Sequence, residues 1–143
     1  MKRILVFFLL AFVAACEAPP PSAPVAAAPS EHRILLTINF DFDSHVIRPS
    51  SYPLLDNVAI ALNDQRLQGS QFEINGHTDI IGRLGYNIGL SLMRAGAVMD
   101  YLSARGVPTS VMHPQGFGPL QLIDTANPAS PANRRVEIVA ISP

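Results

Sequence analysis

In the second half of the chain, Leu84, Ile88, Ser91, Ala95, Val98 and Leu102 recur at steps of four and three. That is the spacing of one buried stripe on a helix, and it predicts a helix over about 84–104, stopped before Gly106 and Pro108. Upstream, Leu55, Val58, Ala59 and Leu62 repeat the helical step. Pro49, Ser50, Ser51 and Pro53 supply start signals, since proline is tolerated in a helix's first turn, so a first helix is expected over roughly 51–67, with Gly69 marking its end. Between and around the helices the pattern changes period. Residues 33–42 (RILLTINFDF) are β-rich and alternate imperfectly, 71–75 (QFEIN) alternate polar and apolar, and 135–141 (RVEIVAI) read as a closing strand. Residues 111–115 form a short strand candidate, and 120–132, with two prolines, read as loop. The expected order is β-α-β-α-β-β. It implies an α+β sandwich, a mixed sheet with helices packed on one face.

The N-terminal residues follow neither period. Lys2 and Arg3 precede an unbroken apolar run of twelve residues, Ile4 to Ala15. A bilayer core of ~30 Å needs about 20 helical residues, so this run fits the hydrophobic region of a secretory signal better than an uncleaved span. It ends in Val13-Ala14-Ala15-Cys16, which resembles a lipobox with Val13 where leucine is usual. The resemblance implies a signal peptide at 1–15 and cleavage before Cys16, with the thiol lipidated and the new amine acylated. The alternative is an ordinary secretory signal with an incidental cysteine. Glu17 is not the aspartate that in such lipoproteins favours the inner membrane, so an outer-membrane anchor with the domain in the periplasm is expected. Residues 17–30 (EAPPPSAPVAAAPS) are dominated by Pro and Ala, and at ~3.1 Å per residue they would reach at most ~43 Å as an extended tether. Residues 16–30 are thus read as lipidated cysteine plus linker, and 31–143 as one domain.

Composition narrows the function classes. Without Lys2 and Arg3 the chain keeps eight Arg against eleven acidic residues, a formal −3, and no Lys. That is not the basic footprint of a nucleic-acid binder. The single Cys excludes an intramolecular disulfide. His45 and His77 lack a third ligand at metal-site spacing, so no metal and no cofactor are expected.

Three segments carry candidate chemistry: Asn39-Phe40-Asp41-Phe42-Asp43-Ser44, followed by Ile47-Arg48-Pro49; Gly76-His77-Thr78-Asp79 with Gly82, Tyr86-Asn87, Leu90-Ser91 and Arg94-Ala95; and Asn133-Arg134-Arg135-Val136-Glu137-Ile138. Asp79 follows a strand and precedes a helix, where α/β folds present ligand groups. Asn87 and Arg94 lie seven apart, about two helical turns, and share one stripe. A carboxylate and a guanidinium at one mouth would read a zwitterion, the first accepting from an ammonium and the second forking onto a carboxylate. The equally open alternative is that Asp79 caps the helix and Arg94 forms a surface ion pair.

These segments resemble the signature of the OmpA-like C-terminal domain, the module shared by outer-membrane protein A, peptidoglycan-associated lipoproteins and the flagellar-stator protein MotB. The likeness covers about 34–141, and the spaced run GHTD-x-x-G-x-x-x-YN-x-x-LS-x-x-RA followed by NRRVEI carries it. The resemblance implies noncovalent binding of peptidoglycan through the diaminopimelate of the stem peptide. Asp79 would hold its head group and Arg94 would be the basic partner. Thr78 and Asn87 would make flanking polar contacts, Asp41 and Asp43 would line the groove, and Arg134 would add a second basic residue. Between Gly116 and Asn133 the chain departs from the family's pattern: Pro119 stands where an acid is common, and a Gly-Arg pair is missing. A hydrolase using Asp79 or Asp43 as base is the competing class, but no nucleophile–base pair and no zinc set accompany them. Ser91 lacks a nucleophile elbow, Met93 and Met99 read as packing, Tyr86 reads as packing at the helix start, and Arg135 should point away from Arg134. A further possibility is an accessory lipoprotein of a secretion or motor complex, using this domain as its wall anchor beside other envelope proteins.

Overall fold

The computed structural model describes residues 31–141 apart from Thr37, Asn39 and Phe42. The signal segment, Cys16 and the Pro/Ala-rich stretch lie outside the described residues. Strand β1 (Glu31–Leu36) is followed by α1 (Tyr52–Leu62), β2 (Gln71–His77), α2 (Leu84–Ser103), β3 (Met112–Gly118) and β4 (Val136–Ile141). The sheet order is β1-β4-β2-β3. β2 and β3 run parallel, while β4 is antiparallel to both β1 and β2, so the sheet is mixed and the α+β expectation holds.

Strand alternation sorts the sheet's two faces. Phe72 and Ile74 of β2, Met112 of β3, and Val136, Ile138 and Ala140 of β4 enter one core with the helices. Leu55, Val58, Ala59 and Leu62 of α1 and Ala95, Val98 and Leu102 of α2 meet them there. The helical stripes read from the sequence are the buried ones except at the start of α2, where Leu84 is exposed and Ile88 half-buried.

Helix α2 lies directly on sheet backbone. Gly76 and Gly116 are register partners on β2 and β3. A Cβ at Gly76 would stand 2.1 Å from the Ser91 carbonyl oxygen, and one at Gly116 would stand 2.6 Å from Ile88 O and Leu92 N. Only glycine permits that approach. Ser91 fastens the contact: its hydroxyl donates to Ile88 O at 2.8 Å and accepts from the Gly118 N–H at 2.9 Å. Its burial is structural.

Two elements differ from the sequence expectation. The strand expected over 33–42 ends at Leu36. The chain then leaves the ladder, buries Ile38 and Ile47, and closes an isolated bridge between Phe40 and Ile47. Asp43 adopts φ +52° in the turn between them, a conformation that aspartate tolerates better than most side chains. The first helix stops at Leu62, and a separate 3₁₀ turn, Gln65–Leu67, follows. Asn63 donates its amide back to Ala59 O, and the Asp64 carboxylate accepts from the Arg66 N–H, so local side chains compete with the helix and end it. At the other boundaries, β2 and β3 run farther than expected, to His77 and Gly118, and β4 starts one residue later, at Val136.

The glycine contact predicts opposite signs for two Gly→Ala substitutions. Gly76→Ala forces α2 off the sheet and should cost about 1–3 kcal/mol, the usual range for overpacking. Gly96→Ala, in mid-helix with nothing within 4 Å of its would-be Cβ, should gain up to about 1 kcal/mol. Urea denaturation of the two variants reads both signs; a neutral Gly76→Ala would remove the backbone contact as a constraint.

Candidate functional site

Beyond β2, Thr78 and Asp79 leave the sheet at its carboxyl end. The Thr78 N–H donates to Gly118 O at 2.9 Å, and its hydroxyl donates to Asp79 O at 2.9 Å. Asp79 is buried, and both its oxygens are engaged: Oδ1 accepts from the Ile81 N–H at 3.0 Å and Oδ2 accepts from Arg134 Nη1 at 2.8 Å. The cap position of α2 belongs to Arg83, with no side-chain cap bond, so Asp79 organises the loop and does not cap the helix. Asn87 closes the loop from the helix, its amide donating to Ile81 O at 2.9 Å.

Arg94 lies two turns along the same stripe as Asn87. Its Nε donates to Ser44 O at 3.0 Å, and its guanidinium sits 5.0 Å from the centroid of the Phe40 ring. The residue is only 7% exposed. Burial pushes its pKa down, and the neighbouring Arg134 adds to that, while Asp79 and Asp43 oppose it. These influences place Arg94, Arg134, Asp79 and Asp43 in one electrostatic neighbourhood. Among the described residues, Nε is the only Arg94 nitrogen with a hydrogen bond. The group is a largely buried cation whose two terminal nitrogens have no hydrogen-bond partner among the described residues.

The structure brings together Thr78, Asp79, Asn87, Arg94, Asp43 and Arg134. Asp79 touches Arg134 directly, so the residue that the resemblance placed last is nearest the carboxylate. Arg134 keeps 46% of its side chain exposed against 9% for Asp79. Asp43 accepts a hydrogen bond from the Tyr86 hydroxyl, and the Tyr86 ring is exposed where the sequence suggested packing at the helix start. Asp41 goes elsewhere: it pairs with Arg48 at 3.1 Å, and both side chains are more than half exposed.

Sequence reasoning missed two anchors of the wall beside the mouth. Asn133 is fully buried. Its Oδ1 accepts from the N–H groups of Ile123 and Asp124, each at 3.0 Å, and its amide donates to the carbonyls of Asp124, Asn127 and Pro128. Arg135 takes a different partner from Arg134, although both precede β4: its Nε meets Glu137 Oε1 at 2.8 Å in a buried pair. Arg135 Nη2 also donates to Gln121 O at 3.2 Å. An Arg-x-Glu spacing on a strand was the available signal for that pair, since residues two apart share a face. Asn133 gave none. On the same face, His77 lies 3.8 Å from Glu137 and stacks on Phe117 at 5.5 Å between ring centroids. Among the described residues no group of three or more His, Cys, Asp or Glu is placed to hold a metal.

With this geometry in view, comparison with known proteins is direct. The OmpA family model matches residues 39–136. The chain belongs to the OmpA family. "Peptidoglycan-binding protein ArfA" of Mycobacterium tuberculosis is 39% identical over 125 residues, 85% of this chain and 38% of that protein. The chain spans little more than a third of the curated relatives it matches first, 34% and 38% of their lengths. The solved peptidoglycan-associated lipoprotein from Burkholderia pseudomallei is 31% identical, with a TM-score of 0.62 over 73% of this chain and 89% of that one. The cell wall anchor of the T6SS from Pseudomonas aeruginosa is 30% identical, with a TM-score of 0.59 over 82% and 85%. The family shares the α+β fold found here.

The loop from Pro119 to Asn133 takes five of its hydrogen bonds from one side-chain amide. Asn133→Ala leaves two N–H groups and three carbonyls short of partners and should cost about 2 kcal/mol or more. Thermal melting and limited proteolysis check this: the variant should be cut between 119 and 133 faster than the parent, and equal cutting would show that the loop holds without the amide.

Proposed function

We propose that this protein binds peptidoglycan noncovalently, recognising the diaminopimelate of the stem peptide, and that a lipid on Cys16 ties it to the outer membrane. The observation that carries the reading is the pairing of a buried, under-bonded Arg94 with a buried Asp79 whose charge partner, Arg134, is half exposed. The head group of diaminopimelate is a zwitterion. Its carboxylate would take the spare donors of Arg94, and its ammonium would replace Arg134 on Asp79. Giving up the Asp79–Arg134 pair costs little, because ion pairs with a solvent-exposed member contribute only about 0–1 kcal/mol. Forming a charge-assisted pair at Arg94 repays the desolvation already imposed there. The likeness to ArfA, a peptidoglycan-binding protein, and to the Burkholderia peptidoglycan-associated lipoprotein supports the ligand class. Thr78 and Asn87 would hold the loop that presents Asp79, and Asp43 would line the groove. Asp41, paired outward with Arg48, would contribute at the edge. The likeness to the T6SS anchor supports a second reading of context: the same wall grip serving a secretion complex.

Asp79→Ala and Arg94→Ala should each weaken retention on purified sacculi by at least about 30-fold, the effect of leaving one buried charge without its partner. Free meso-diaminopimelate should displace the parent protein, and circular dichroism should report a folded domain in both variants. Retention of both at parental levels would move the site elsewhere. For the membrane end, Cys16→Ser should shift the chain from the membrane fraction to the soluble fraction and abolish labelling by an alkynyl fatty acid. A variant still labelled and still membrane-bound would remove Cys16 as the anchor.

A further inference from the structure

Helix α2 turns an uncharged face to solvent. Along its outer line, opposite the stripe that meets the sheet, stand Gly85, Gly89, Leu92, Met93, Gly96 and Asp100. Leu92 and Met93 are each 46% exposed. Between Arg83 and Asp100 the helix has one charged residue, Arg94, and it is buried on the other side. A surface helix ordinarily carries charges on its outer face, so an apolar one marks a contact surface. The glycines between do not serve packing inside the domain: a Cβ on Gly85, Gly89 or Gly96 would meet nothing within 4 Å, and alanine would suit the helix better.

The order of residues along that line points to what covers it. Gly85 and Asp100, Gly89 and Gly96, and Leu92 and Met93 are spaced symmetrically about the peptide bond joining Leu92 to Met93. Two copies of such a face match when laid antiparallel, which is the self-complementarity a two-fold contact requires. We propose that the outer face of α2 docks a second copy of this chain, helix antiparallel to helix, over a length of about 24 Å. Leu92 meets the partner's Met93 at the axis. Gly89 meets the partner's Gly96, where bare main chain lets the helix axes approach to about 8 Å. Charge fixes the register. Arg83 and Asp100 are exposed, and neither side chain has a hydrogen bond or ion pair among the described residues. Antiparallel docking sets the partner's Asp100 opposite Gly85 and beside Arg83, at both ends of the contact. A cleft of about 630 Å³ lined by Arg83, Gly85 and Tyr86 has room for that carboxylate. A parallel pair would set like charges together instead. A contact of one helix face is small, so monomer and dimer exchange. Asn87 and Arg94 lie on the opposite side of the helix, and docking does not require the peptidoglycan ligand.

The test uses the full chain with Cys16→Ser, so that introduced thiols are the only ones present. On mild oxidation, Gly89→Cys and Gly96→Cys should each cross-link poorly alone and should form a disulfide-linked dimer when mixed, because antiparallel docking sets 89 against 96. Sedimentation equilibrium should show Asp100→Arg weakening the dimer by at least about tenfold, since like charges then meet at both ends, and added Arg83→Asp restoring it to within about threefold. Circular dichroism checks that each variant is folded. Either cysteine variant cross-linking with itself as readily as in the mixture overturns the antiparallel contact. So does a double charge variant as weak as Asp100→Arg alone. A chain that stays monomeric at every concentration overturns the docking, and one that stays monomeric but sediments with phosphatidylglycerol vesicles overturns it in favour of a lipid surface.

Discussion

Helix α2 rests on bare main chain. Gly76 and Gly116 face each other across the β2–β3 pair, and backbone atoms of Ile88, Ser91 and Leu92 occupy the space where their side chains would be. The distance from helix to sheet is therefore set by backbone, which has little room to relax in a close-packed interior. The hydroxyl of Ser91 adds a bond from the helix to the end of β3. Asn87 precedes this fastening by four residues and Arg94 follows it by three, so both project from the same stripe. Thr78 and Asp79 emerge from the end of the same β2 that carries Gly76. The mouth's geometry is inherited from a contact that contains no functional group.

The charges at that mouth are unequal in their freedom. Arg94 is fixed between a carbonyl and an aromatic face, and burial makes its charge costly to leave without an anion. Asp79 is fixed by the Ile81 N–H. Arg134 is the exposed member, joined to Asp79 by one contact at 2.8 Å. The exposed cation is thus the one paired with the acid, and the buried cation is the one bonded only through Nε among the described residues.

Much of this was legible in the chain. The stripe Leu84–Leu102 gave α2 to within a residue at its end, because a long amphipathic period is a strong signal. Asp79, Asn87 and Arg94 were legible as one mouth because strand end and helix period place them there. Pairing across space was not legible. Read as strand, Asp41 and Asp43 would share a face; in the turn they separate, one to Arg48 and the other to Tyr86. Alternation predicts that Arg134 and Arg135 point apart, but not which of them reaches Asp79. Tyr86 looked like packing because its period near the helix start says nothing about what the loop opposite it will present.

The segment from Pro119 to Asn133 flanks the Asp79 loop. It is held by the Asn133 amide at one end and by Arg135, paired with Glu137, bonding Gln121 O. The buried pair carries a desolvation cost that packing alone would avoid, which argues for a positional role. Ile80 N–H donates to Pro128 O at 3.3 Å and so ties this segment to the Asp79 loop. Arg134 lies between the two anchors, its neighbours on both sides buried. The Arg134 side chain therefore reaches Asp79 from a stretch of backbone anchored on both sides, and the geometry of that pair depends on the anchors.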